Sequence, residues 1–249
     1  VIFYCWLKKK WDDRITLACT FLFLLAAPLV YHSYNQLMFV NYMPFLCAAF
    51  LGVDKYVEEK KKALLLCSVC GMILTSFFFS IGGLLALGIY GASKFTEKGI
   101  KEFLKNSVSL AGVLLHSVLL CGILLIPTAF VLFGRGGSGS HAEMAVSLFT
   151  VQPMRFLYTP HGVGMSALAL IALFDDMRKW QEKFLSVSLF LIFTIPFVGY
   201  VLNGGLYDKG KVFIPFLPLM CMEVAKYIDR IKKRESTFRD ILPYLITAF

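Results

Sequence analysis

The chain has 249 residues, a formal net charge of +9 and a mean hydropathy of +0.70, with 58% hydrophobic and only 16% charged residues. A soluble globular domain is about 45–50% apolar and about 25% charged. The excess of apolar residues excludes a soluble enzyme, a disordered chain and a nucleic-acid-binding domain. What remains is an all-α, polytopic transmembrane helical bundle, in which Lys and Arg report orientation rather than a nucleic-acid partner.

In chain order, Val1–Leu7 is apolar and is followed by Lys8-Lys9-Lys10. It reads as the last turns of a truncated helix. Residues 15–34 and 37–53 are each apolar enough for one span, given the roughly 20 residues a spanning helix needs. Asp54–Lys62 reads as a charged loop. The 31 apolar residues Ala63–Ser93 are too long for one crossing. As one helix they would rise about 46 Å, against a hydrocarbon core of roughly 30 Å. They are expected to fold back at Thr75–Gly83 into two short helices, 63–76 and 80–93. Lys94–Ser107 is amphipathic, with Phe95, Ile100, Phe103 and Leu104 able to share one face, and reads as an interfacial helix. Further spans are expected at 108–133, 158–174, 184–202 and 212–228, and 241–249 reads as a second truncated helix. Short ends of this kind suggest an internal fragment of a longer protein, with one transmembrane domain over 1–249.

The charges sort by loop. If loops alternate, residues 8–14, 54–62, 94–105, 175–183 and 226–240 share one side and carry 21 of the 25 Lys and Arg. Only Arg135, Arg155, Lys209 and Lys211 fall on the other. The positive-inside rule puts the 21 in the cytoplasm. A single long helix at 63–93 would invert every later loop and spoil this separation.

The outer side then holds the motifs with chemistry. Asn203-Gly-Gly-Leu-Tyr207-Asp208-Lys209-Gly-Lys211 is followed by Pro215 and Pro218, a pair expected to break or kink the helix. This turn has two readings: a solvated hairpin with interfacial lysines, or cations placed to neutralise a phosphate. Arg155-Phe-Leu-Tyr158-Thr-Pro-His161-Gly-Val-Gly164 reads either as an aromatic belt or as a loop lining a sugar or headgroup site. His116 sits mid-span, where an ionisable group is a candidate functional residue or a histidine bonded to a backbone carbonyl. His32 lies at the outer mouth beside Tyr31 and Tyr34. The seven cysteines are odd in number and lie in apolar runs, so Cys67-Ser-Val-Cys70 reads as packing rather than as a redox or metal site. No metal-ligand spacing is seen. The pairs Asp12-Asp13, Glu58-Glu59 and Asp175-Asp176 read as solvated loop charges.

Several stretches in consistent order resemble the bacterial YfhO family of polytopic membrane proteins. They are Met38-Phe-Val-Asn-Tyr-Met-Pro44 with Leu51-Gly-Val-Asp54, Leu74-Thr-Ser-Phe-Phe-Phe-Ser80 leading to Gly88-Ile-Tyr90, Tyr158–Met165, and Leu202-Asn-Gly-Gly-Leu-Tyr with Lys211–Pro218. That family is similar to GT-C glycosyltransferases. The resemblance implies a multi-pass protein of the bacterial plasma membrane that moves a sugar from a polyprenyl-phosphate carrier to a cell-envelope acceptor such as teichoic acid, on the outer face. It implies no separate cofactor, with the lipid bilayer, the lipid-linked sugar and the acceptor polymer as partners. Under that reading Lys211, Lys209 and Arg155 contact phosphate, Tyr158, His161, Asn203 and Tyr207 line the sugar or acceptor site, and Asp208 is the candidate acid or base. The carboxylate usual in the first outer loop of such enzymes would lie upstream of Val1. The alternative is a multi-pass transporter or lipid flippase, suggested by the broken helices and His116.

Overall fold

The computed structural model describes residues 1–96, 99–133, 149, 167–177, 183–203 and 210–233. Among them every regular element is helical. The α-helices are α1 (Ile2–Lys8), α2 (Asp13–Leu24), α3 (Ala27–Asn35), α4 (Met43–Glu59), α5 (Ala63–Thr75), α6 (Phe77–Ser93), α7 (Ile100–Leu120), α8 (Gly122–Phe133), α9 (Ala167–Met177), α10 (Lys183–Thr194), α11 (Pro196–Leu202) and α12 (Leu217–Lys233). Short 3-10 turns occupy Leu37–Phe39 and Gly210–Phe216.

The breaks have local causes. Asp12 caps α2 by accepting from the Ile15 N–H at 3.0 Å. Pro28 lacks an N–H and its ring would meet the carbonyl four residues back, so α2 cannot run on into α3; the two helices meet at 45°. Ile195 precedes Pro196 and is driven to extended angles (φ −99°, ψ 113°), as residues before proline are. There α10 and α11 bend by 81°. Pro215 sits inside the 3-10 turn and Pro218 in the first turn of α12, where the sequence places a break. Two helical segments, Leu37–Glu59 and Ile100–Leu120, are long and apolar enough to cross a membrane, and the two bent pairs raise that number to four; α5 and α6 are shorter apolar helices.

The apolar run 63–93 does fold back. Its break is at Ser76, and Gly83 of α6 returns against Met72 of α5, where a Cβ would stand 2.6 Å from the Met72 sulfur. The interfacial helix expected at 94–107 is not a separate element. Lys94–Thr96 is a turn, Phe95 is fully buried, and the residues from Ile100 onward belong to α7. Gly99, at φ 78°, supplies the break before α7, and nothing between Lys101 and Val108 interrupts the helix. The core is one cluster in which α12 is central: Leu217 through Ala225 are all buried.

Candidate functional site

The bundle has two chemically different ends. One gathers turns that are far apart in sequence. The 3-10 turn Gly210–Phe216 packs on α6, where Gly82 has room only for hydrogen: a Cβ there would lie 3.1 Å from the Pro215 ring and 3.2 Å from the Val212 carbonyl. This contact delivers Lys211 to a cluster of aromatic rings. Its ammonium stands over the Phe39 ring at 5.1 Å and the Phe78 ring at 5.7 Å. Phe39 in turn lies 4.9 Å from the buried His32 ring and 5.0 Å from Phe79, which stacks on Tyr42 at 5.6 Å. So Lys211, His32 and Phe78, drawn from three of the expected turns, meet at one place with Phe39 from the start of the expected span 37–53.

Of the other expected site residues, Asn203 is described. It is 1% exposed, and its side-chain amide donates to the Gly199 carbonyl at 3.0 Å. It therefore closes the end of α11. Arg155, Tyr158, His161, Tyr207, Asp208 and Lys209 lie outside the described residues. His116 is on the outer surface of α7 and lines a shallow cavity with Lys62 and Ser109. Near the His32 end, α1, α2, α3 and α4 enclose an apolar cavity of about 560 Å³ lined by Phe3, Phe23, Leu29, Val30, Met43 and Cys47 among others.

The opposite end is a set of ion pairs. Asp54 is not in a loop: it lies within α4, 5% exposed. It accepts from Trp6 Nε1 at 2.8 Å, from the Tyr90 hydroxyl at 2.5 Å and from Lys10 Nζ, with Lys94 Nζ at 3.9 Å. Trp6 stacks on Phe50 at 4.9 Å and meets Tyr90 edge-on at 5.5 Å, so the carboxylate is fenced by aromatic surface. Asp175, expected to be solvated, is also buried and pairs with Arg230 at 3.3 Å, both side chains being at most 6% exposed. A charge removed from water is tolerated only when paired, and these two carboxylates are. Asp12 pairs with Lys232 and Asp13 with Lys8 at the surface. The Lys232 ammonium, helped by the Ile15 N–H, holds the Asp12 carboxyl below its ordinary pKa. Through Lys10–Asp54, Lys94–Asp54, Asp12–Lys232 and Asp175–Arg230, all five basic segments of the sequence touch at this end.

Between these pairs lies a cavity of about 390 Å³, lined by Lys10, Lys94, Lys226, Glu223, Trp11 and Phe184 among others. Sequence reasoning missed Asp54 and this cavity. A signal existed for Asp54: Leu46, Phe50, Val53 and Val57 continue the helical spacing past it, and Asp54 follows Phe50 by four on the same face.

Among the described residues no three His, Cys, Asp or Glu side chains cluster as metal ligands. Cys67 and Cys70 are free thiols on α5, and Cys70 Sγ points to the Ser117 carbonyl at 3.7 Å, a packing contact between α5 and α7. No family model, curated protein or solved structure matches the chain.

Proposed function

We propose that the chain is the membrane part of a glycosyltransferase that takes a sugar from a polyprenyl-phosphate carrier on the outer face of a bacterial plasma membrane and passes it to a cell-envelope polymer such as teichoic acid. The reading starts from the resemblance to the YfhO family. The observation that best supports it is the meeting of Lys211, His32 and the Phe39–Phe78 rings at the end away from the basic segments. A cation held on aromatic faces is attracted by the ring quadrupoles, and an anion at the mouth would meet it there. The apolar cavity among α1–α4 has a lining suited to prenyl units.

In this scheme Lys211, with Lys209 and Arg155, stabilises the charge that grows on the departing phosphate. Asn203, Tyr207, Tyr158 and His161 border the sugar or acceptor, and Asp208 serves as acid or base. The protein that contains this chain, reconstituted with a radiolabelled polyprenyl-phosphate sugar and teichoic acid, should label the polymer. A hydrogen bond to a charged group is worth about 1.5–3 kcal/mol, so Lys211→Ala should lower transfer by about 10- to 100-fold, with Lys211→Arg closer to the parent. Undiminished transfer by Lys211→Ala would remove the phosphate assignment. Absence of transfer with every lipid-linked sugar tried would remove the enzyme reading.

The bent pairs α2–α3 and α10–α11 favour a second reading, a transporter or lipid flippase, because broken helices recur at transport sites. Movement of the lipid-linked sugar across a sealed vesicle, with no acceptor-dependent transfer, is the outcome that selects it.

A further inference from the structure

The open face of α7 carries chemistry that sugar transfer does not use. This helix is far less covered by the bundle than α4. Where it meets the start of α5 there is a cavity of about 400 Å³, lined by Lys62, Leu66, Ser109, Gly112, Val113 and His116. The four α7 residues recur at spacings of three and four, so they share one face. Lys105, also exposed, precedes Ser109 by one turn on that face. Among the described residues neither Lys62 nor Lys105 pairs with a carboxylate; Glu59, the acidic residue closest to Lys62 in sequence, pairs with Lys61. The first turn of α5 has no side-chain cap, and the positive end of its dipole adds to the lysines. Ser109 Oγ stands 2.7 Å from the hydroxyl of the buried Tyr56. With Tyr56 donating, the serine keeps its own O–H for a ligand.

His116 lies deeper in the same slot. It is exposed on α7 and makes no hydrogen bond among the described residues. An imidazole facing hydrocarbon with neither nitrogen satisfied is costly. Its Cα is about 10 Å along the helix from that of Ser109. Helical side chains lean toward the N-terminus, which carries the ring back toward Gly112. A Cβ on Gly112 would meet nothing within 4 Å, so the space beside the imidazole is open. Cations at the mouth and a ring donor a turn or so deeper match a phosphate joined to an ester by a short backbone. Free phosphate would use only the mouth.

We propose that an anionic glycerophospholipid binds in this slot between α5 and α7, its phosphate held by Lys62 and Lys105 and an acyl-ester carbonyl accepting from the His116 imidazole. Basic pockets between membrane helices on the cytoplasmic side recognise such headgroups. The proposal rests on the membrane-embedded reading of the bundle and not on sugar transfer.

The test uses the full chain in detergent micelles doped with phosphatidylglycerol, its diether analogue or phosphatidylcholine, with bound lipid counted by native mass spectrometry. Phosphatidylglycerol should be retained over phosphatidylcholine, and Lys62→Gln with Lys105→Gln should lose that preference by about tenfold or more. The diether analogue lacks the carbonyls and should bind about fivefold more weakly than the ester. His116→Leu should erase that difference while keeping the preference for the anionic headgroup. Gly112→Leu fills the slot and should weaken retention without touching a charge. Both positions are open to the surface, so these two variants keep the test decisive if the double lysine variant fails to fold. Equal retention of phosphatidylglycerol and phosphatidylcholine, or of ester and ether, overturns the proposal. So does displacement by millimolar inorganic phosphate with Gly112→Leu indifferent, which would make the mouth a free-phosphate site. A lipid-free dimer that Gly112→Leu splits would also overturn it, because the slot would then hold a second copy of α7. A chain that stays monodisperse without detergent would instead sink the membrane reading itself.

Discussion

Asp54 carries an energetic burden out of proportion to its size. A carboxylate inside a bundle persists because Trp6, Lys10 and Tyr90 donate to it from two other segments of chain. Removing one member of a buried pair strands the other and costs about 3–5 kcal/mol. Asp54→Ala should therefore destabilise the protein by about that amount, read from denaturant unfolding in micelles. Trp6→Phe keeps the stacking on Phe50 and deletes one donor, so its cost should be about 1–3 kcal/mol. Asp13→Ala removes an exposed pair with Lys8, which water screens, so it should cost far less than Asp54→Ala. Equal losses for Asp54→Ala and Asp13→Ala would mean that the buried hub does not organise this end. Charge density along the sequence hid Asp54. It is followed by Lys55, Glu58, Glu59 and three lysines, and a run of charges reads as a loop. The helix nevertheless continues to Glu59, ending only where Lys60 turns left-handed at φ 58°.

Helix pairing depends on a few glycines. A Cβ at Gly52 would lie 2.8 Å from both the backbone N and the Cα of Leu65, so α4 and α5 touch through their main chains. Gly52→Ala must push two helices apart. Overpacking of this kind costs about 1–3 kcal/mol. At Gly91 the nearest atom is Leu110 Cδ2, at 2.0 Å, the end of a side chain that can change rotamer. Gly91→Ala should thus be milder than Gly52→Ala despite the shorter distance; thermal unfolding of both variants in one detergent decides the order, and the reverse order would contradict the backbone-contact argument. One boundary was read from its breaker, the Pro215–Pro218 pair; Pro28 and Pro196 mark bends just as plainly, yet 15–34 and 184–202 were each expected as one span and are each two helices. Boundaries were not legible where polarity alone changes. Lys101–Lys105 differs sharply in polarity from Val108–Leu120, yet hydrogen bonding runs through the junction, since helix continuity answers to backbone donors and sterics rather than to charge. The tight approach at Gly52 also escapes sequence reading, because nothing local says which glycine faces another helix.

At the scale of the whole molecule, the loop charges and the three-dimensional contacts agree on a polarity. The five basic segments converge on Asp54, Asp12 and Asp175, while Lys211 sits with His32, Phe39 and Phe78. The 17 residues of α4 rise about 25 Å between these ends, close to the roughly 30 Å of a hydrocarbon core. Between them, Leu115, Leu119 and Ile123 are 58%, 68% and 88% exposed on α7 and α8, a surface that costs free energy in water and none in lipid. Orientation is then a physical prediction. Lys and Arg resist transfer across the bilayer, so the Asp54 end should face the cytoplasm. In a background with the seven native cysteines replaced, Tyr34→Cys on α3 should react with a membrane-impermeant maleimide applied to intact cells. Lys61→Cys, in the α4–α5 connection, should react only after the membrane is opened. Both positions are exposed, Tyr34 at 92% and the Lys61 side chain at 73%, so silence at either reports sidedness rather than burial. Labelling of both from one side would mean that the two ends do not lie across a membrane. Inverted labelling would leave the bundle membrane-spanning but put Lys211 inside, and a phosphate carrier presented on the outer face could then not reach it.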